Sequence, residues 1–154
     1  MAVVVREATV SEITDNENFS VLRAEYAAEA SINGMPDPSD KMGMYSEIEK
    51  SGVFHAFAAF EGDKLVGFIA TITPILPHYG VAVTVTESLF VGASYRKTGA
   101  GLKLIRAAEK HAKSVGSPGI LISAPSGGTL AEILPKMHYR ETNRVFFKEA
   151  RYDD

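Results

Sequence analysis

The chain has 154 residues and no cysteine, with 45% hydrophobic and 23% charged residues and a formal net charge of −3. That balance fits one ordinary soluble globular domain, residues 1–154, able to bury about 70% of its unfolded surface, and it excludes disulfides, thiolate metal sites and a cysteine-borne acyl-enzyme. A mildly acidic chain is not built to coat nucleic acid, and its longest apolar runs are broken by His55, Gly67 and Pro74 well short of a membrane span.

Residues 1–6 lack the charged start and long apolar core of a signal peptide, and the absence of cysteine suits a reducing cytoplasm, the expected location. Residues 3–6 read as a first strand, with Thr9 or Ser11 initiating the next turn. Across 18–32, Phe19, Leu22, Tyr26, Ala27 and Ala30 recur at spacings of three and four, the period of an amphipathic helix. Its other face carries Arg23, Glu25 and Glu29, which are read either as a solvated face or as an acidic wall for a cationic ligand.

Asn33, Gly34, Pro36, Asp37 and Pro38 make a surface loop, and a short helix follows over 39–50, ending at Ser51 and Gly52. Residues 53–60 and 64–75 form the clearest hairpin, joined by Glu61, Gly62 and Asp63 as a three-residue loop. Pro74 and Pro77 then break the pattern, with a loop at His78, Tyr79 and Gly80 before a strand over 83–91. A helix over 99–115 places Leu102, Ile105, Ala108 and Ala112 on an apolar face, and Lys103, Arg106, Lys110 and Lys113 on a basic stripe. That stripe is either solvated or, near Lys103, an aid to holding phosphate. A short strand over 120–123, a helix over 129–136 stopped near Pro135, and a closing hairpin of 139–142 with 144–149 complete the chain. The four histidines show no metal-ligand spacing, and no G-x-S-x-G elbow appears.

The strongest functional signal is 87–101, E-S-L-F-V-G-A-S-Y-R-K-T-G-A-G. A strand gives way to a charged, glycine-bearing turn that opens a helix, where free N–H groups and the macrodipole favour an anion such as phosphate. Gly99 and Gly101 permit close approach, and Arg96 and Lys97 add positive charge. The Walker pattern is absent, and the third glycine of the dinucleotide fingerprint is missing. A nucleotide-binding loop is therefore disfavoured.

The remaining pattern, Arg96-x-x-Gly99-x-Gly101 after Glu87-Ser88-Leu89-Phe90-Val91 and Tyr95, resembles the acetyl-CoA pyrophosphate loop of the GNAT superfamily of N-acetyltransferases. The resemblance implies a single α/β domain with a central mixed, mostly antiparallel sheet flanked by helices. It implies acetyl-CoA as co-substrate, no metal, and direct transfer of acetyl to a primary amine of a small molecule or peptide. Leu89, Phe90 and Val91 would lie along the pantetheine, and Arg96, Lys97, Thr98, Gly99, Ala100 and Gly101 would hold the pyrophosphate. Glu87 matches a glutamate that often acts as base there; the alternative for it is a structural ion pair or hydrogen bond. Simple strand alternation puts Glu87 on the face of Leu89 and Val91, opposite Ser88 and Phe90.

On the acceptor side Glu25, Tyr26 and Glu29 of the first helix are candidates as the wall for a cationic acceptor, and the resemblance adds Met35, Asp37 and Tyr45 in the segment linking the first two helices. Downstream, the tyrosine that usually protonates the leaving thiolate is replaced by Leu134, leaving Ser123, Ser126, Tyr139 or water as substitutes. That departure supports a second reading, a catalytically inactive acyl-CoA-binding or interaction module of the same fold. A homodimer stays open.

Overall fold

The computed structural model describes residues 2–37 and 42–151. The chain begins with strand β1 (Val3–Ala8), then helices α1 (Val10–Thr14), α2 (Phe19–Ala30) and α3 (Met42–Lys50). Strands β2 (Phe54–Glu61), β3 (Lys64–Ile72), β4 (Ile75–Leu76), β5 (Val81–Ala82) and β6 (Thr84–Val91) follow. Helix α4 (Ala100–Ser114), strand β7 (Ile120–Leu121) and helix α5 (Thr129–Ile133) come last, with 3-10 turns at Ala93–Tyr95 and Leu134–Met137.

Five strands form one sheet in the order β1-β2-β3-β6-β7; β4 and β5 pair separately. All its pairings are antiparallel except β6 with β7. The hairpin expected at 53–75 is present, but Glu61 pairs directly with Lys64, so its turn has two residues, Gly62 and Asp63. Thr9 caps α1 with a reciprocal capping box to Glu12, a helix that sequence periodicity over so few residues does not reveal.

Two apolar layers cover the sheet. One joins α1, α2 and α3 to the face carrying Phe54, Ala56, Ala58, Ala70 and Phe90. The other packs Ala100, Leu104 and Ala108 of α4 on Val3, Ala59, Val66 and Ile69, with Leu89 and Val91 against it. Leu102, expected on the buried stripe of α4, is 40% exposed, and the stripe runs instead through Ala100, Leu104, Ile105, Ala108 and Ala112. Lys103 is drawn out of the basic stripe, donating to the Val3 carbonyl at 2.9 Å and tying the helix to the edge strand.

The closing hairpin does not form. Residues 139–149 carry no strand, and Val145 and Phe146 are 89% and 87% exposed. Their β-branched and aromatic character favours a strand only where a neighbouring strand supplies packing and hydrogen bonds, and β7 ends after two residues. The helix expected over 39–50 is present from Met42, and its first three expected residues lie outside the described ones.

Candidate active site

The site grows from β6. Gly67 on β3 stands opposite Val91, and a Cβ there would come within 2.9 Å of the Phe90 carbonyl oxygen, so the two strands approach closely because that residue is glycine. Farther along, Ala70 faces Ser88 while the next residue, Thr71, faces Thr86. Glu87 is thus the extra residue of a β-bulge, which interrupts alternation and re-aims a side chain. The consequence corrects the simple reading of faces. Leu89 and Val91 pack toward α4, but Glu87 reaches the opposite side, where its Oε1 accepts a hydrogen bond from the Tyr45 hydroxyl of α3 at 2.8 Å.

Tyr45 and Tyr26 frame this carboxylate. Burial, followed by the hydrogen bond to Glu87 and the carboxylate's charge, pushes the Tyr45 phenol well above its ordinary value; it stays protonated and donates at neutral pH. Tyr26 is raised by burial and then by Glu87, and its ring meets Phe90 edge-on at 5.7 Å. Beside the tyrosines and Ser88 a cavity of about 60 Å³ runs between α1, α2, α3 and the sheet, walled by Phe19, Phe54, Ala56 and Phe68.

The other edge of β6 is open. Strand β7 pairs only with Thr84 and Val85, and Ser123 adds a hydrogen bond from its N–H to the Thr86 hydroxyl at 3.1 Å. Past that point the two chain segments diverge. Gly92 donates its N–H to the Val66 carbonyl at 2.9 Å, so in the antiparallel alternation Phe90 also bonds toward β3, while the main-chain groups of Leu89 and Val91 face the open edge. The Val91 carbonyl is taken there by Arg96 Nε at 2.9 Å.

Arg96 is committed twice, since its guanidinium also meets Glu29 at 2.6 Å. It folds the turn back on its own strand and ties it to α2. Glu25 does the same from one turn earlier, accepting the Ala93 N–H at 3.3 Å. The two carboxylates nominated for an acceptor therefore lie against the turn at 92–96. Met35 is 53% exposed in the loop after α2, where Gly34 packs against Glu149. Asp37 lies in the same loop.

Beyond Arg96, Lys97 is exposed, and the Thr98 hydroxyl donates to the Tyr95 carbonyl at 2.6 Å while accepting the Ala100 N–H at 3.3 Å. Gly99 caps α4 at φ 84°, a left-handed conformation that a side chain would strain. Among the described residues, no group accepts the N–H of Gly99, Gly101 or Leu102. These donors and the positive end of a 15-residue helix form an anion cradle next to the open edge of β6.

Leu134 is buried at 7% exposure, and the Tyr139 hydroxyl is held by Glu109 of α4 at 2.6 Å. A second cleft, on the α4 side of β1 and β2, is lined by Glu7, His55, Lys110 and His111. Its two imidazoles stack at 4.1 Å and 14°, and the Glu7 carboxylate pairs with His55. Among the described residues, no group of three metal-ligating side chains converges, and no helix is long and apolar enough to cross a membrane.

Tyr45 is the residue that sequence motifs undervalued. It lies 42 positions from Glu87, and only the packing of α3 on the sheet reveals their contact.

A sheet split at β6, with an open strand edge leading to free N–H donors at a helix N-terminus, can take an extended anionic ligand along the strand. The chain belongs to the GNAT acetyltransferase family, whose sequence model matches residues 19–126. Among solved structures, the fold is similar to that of a ribosomal-protein-alanine N-acetyltransferase from Brucella melitensis biovar Abortus 2308, at 17% identity and TM-score 0.73, covering 96% of this chain and 99% of that one. It is also similar to AAC(6')-Iy in complex with a bisubstrate analogue, at 20% identity and TM-score 0.74, with 99% and 100% covered. A protein from Clostridium acetobutylicum described as a predicted acetyltransferase, solved with acetyl-CoA, matches at 13% identity and TM-score 0.74, with 95% of each chain covered. At these identities the likeness is one of fold. No match was found among the curated proteins.

Proposed function

We propose that this protein transfers acetyl from acetyl-CoA directly to a primary amine, with both substrates bound together. The observation that carries the reading is the bulge at Glu87, which sends a carboxylate to one face of β6 while the free edge of the same strand leads to the anion cradle. The cofactor approaches along that edge and the amine from the α1–α3 side, so neither has to leave before the other enters. The neighbours solved with acetyl-CoA and with a CoA bisubstrate analogue support the choice of co-substrate.

In this reading the pyrophosphate rests on the N–H groups of Gly99, Gly101 and Leu102, while Arg96 holds the turn that presents them. Leu89 offers its main-chain N–H to the thioester carbonyl oxygen, and a fixed donor stabilises the charge that develops there without reorganising. The amine nitrogen forms its bond to the carbonyl carbon, the carbon–sulfur bond breaks, and the electron pair leaves on sulfur. Glu87 takes the proton from nitrogen directly or through a water, and Tyr45 orients the carboxylate. A thiol with a pKa near about 8.5 departs as thiolate and takes its proton from solvent, so Leu134 in place of a tyrosine does not block the reaction.

The test is release of free CoA followed with a thiol reagent, for which a cysteine-free protein gives no background. Acetyl-CoA with a panel of primary amines is expected to give amine-dependent thiol and the N-acetylated amine. Buried Leu134 favours one second reading, an acyl-CoA-binding module without turnover. Tight CoA binding with no thiol release across the panel would establish that reading in place of the first.

A further inference from the structure

We infer that the acceptor is a monoamine carrying a short branched aliphatic group, and that the cavity beside Glu87 selects it. The inference rests on the acetyltransferase reading above. The cavity adjoins the proposed reacting centre: Glu87 does not line it, but Tyr45, whose hydroxyl holds Glu87, and Ser88, the next residue along β6, both do. An amine nitrogen seated at the carboxylate therefore directs its carbon substituent between Tyr26 and Tyr45 toward Phe19, Phe54 and Ala56.

Chemistry and size narrow the occupant. The inner walls are aromatic and aliphatic, and no buried side-chain polar atom among the described residues lacks a partner that a polar substrate would satisfy. A hydroxyl or second amine placed there would lose its water without compensation. The volume of about 60 Å³ is well below the roughly 150 Å³ of a cavity that admits benzene, so its inner part suits a few branched carbons better than an aromatic ring.

Charge at the same cavity excludes polycations. Arg23 lines it, with its guanidinium 5.9 Å from the Phe19 ring, and has no carboxylate partner among the described residues. The acidic side chains of α2 that would welcome a second ammonium, Glu25 and Glu29, are turned to the 92–96 segment. A polyamine or aminoglycoside thus meets an unpaired positive charge where the short alkyl group meets apolar walls.

The proposal is tested by kcat/KM for methylamine, ethylamine, isobutylamine, benzylamine and an aminoglycoside, using CoA release. Each methylene buried should raise kcat/KM about fourfold, with isobutylamine the best and benzylamine and the aminoglycoside poor. Ala56→Val, which fills part of the cavity, should bring the isobutylamine-to-methylamine ratio of kcat/KM down to about one, a ratio that a general loss of activity would not change. Phe54→Leu, which enlarges it, should shift the optimum toward benzylamine and serves as the second variant if Ala56→Val does not fold. A flat alkyl series, or an aminoglycoside preferred over isobutylamine, overturns the acceptor class while leaving the acetyltransferase reading standing. Tight CoA binding without thiol release from any amine overturns both.

Discussion

Glu87 and Tyr45 form the contact on which the proposed chemistry depends, and each makes a separate prediction. Glu87→Gln keeps the shape and a hydrogen-bond acceptor for Tyr45 but removes the basic oxygen pair; kcat/KM for the amine should fall roughly 10²–10⁴-fold, with the KM for acetyl-CoA little changed. Unchanged turnover would remove Glu87 as base and leave it a structural partner of α3. Tyr45→Phe removes one hydrogen bond to a carboxylate and should cost about tenfold in kcat/KM. At this scale the sequence was partly legible. Glu87 stood out by its place ahead of Leu89 and Val91, yet its direction did not, because alternation assumes an unbroken strand. The extra residue opposite Ala70 and Thr71 is a property of the β3–β6 register, which neither strand encodes alone.

Helix α4 and the turn before it carry the proposed cofactor cradle, and the residue most sensitive to substitution there is Gly99. Nothing lies within 4 Å of where its Cβ would be, so Gly99→Ala isolates the cost of φ 84°. A strain of roughly 1–2 kcal/mol should appear as a lower melting temperature, and as up to about tenfold weaker affinity for CoA in calorimetry where the free turn relaxes from φ 84° and must return to it on binding. The opposite end of α4 makes a prediction about pH. Burial, then the neighbouring His55, lowers the His111 pKa below its usual 6.5, with Glu7 opposing and Lys110 and Arg6 facing the same cleft. The unfolded chain then binds a proton that the folded one refuses, so stability declines as pH falls below about 6.5. The melting temperature should drop between pH 7.5 and 5, and His111→Gln should shrink that drop.

The helices and the β2–β3 hairpin were readable because each satisfies its own period, as Phe19, Leu22 and Tyr26 do on α2. Short α1 and the failed hairpin at 139–149 were not. The first depends on a cap and tertiary packing, and the second on a partner strand that β7, two residues long, does not provide.

Across the whole molecule, the sheet separates two tasks. Its α4 side supports the open edge of β6, while the α1–α3 side supplies Tyr26, Tyr45 and the apolar cavity. The motif at 96–101 announced the first side in sequence because its residues are contiguous. The second side draws on residues from 10 to 88 and became visible only when the chain was folded. The proposed placement of both substrates on one strand from opposite sides predicts direct transfer, and one measurement addresses that claim most directly. The protein is incubated with acetyl-CoA alone and with acetyl-CoA plus isobutylamine, and intact-protein and small-molecule masses are recorded. The prediction is an unmodified protein in both samples, with N-acetylated amine and CoA formed in equal amounts only in the second. An acetylated protein that passes its acetyl group to the amine, or bound CoA with no acetylated amine at all, would contradict it.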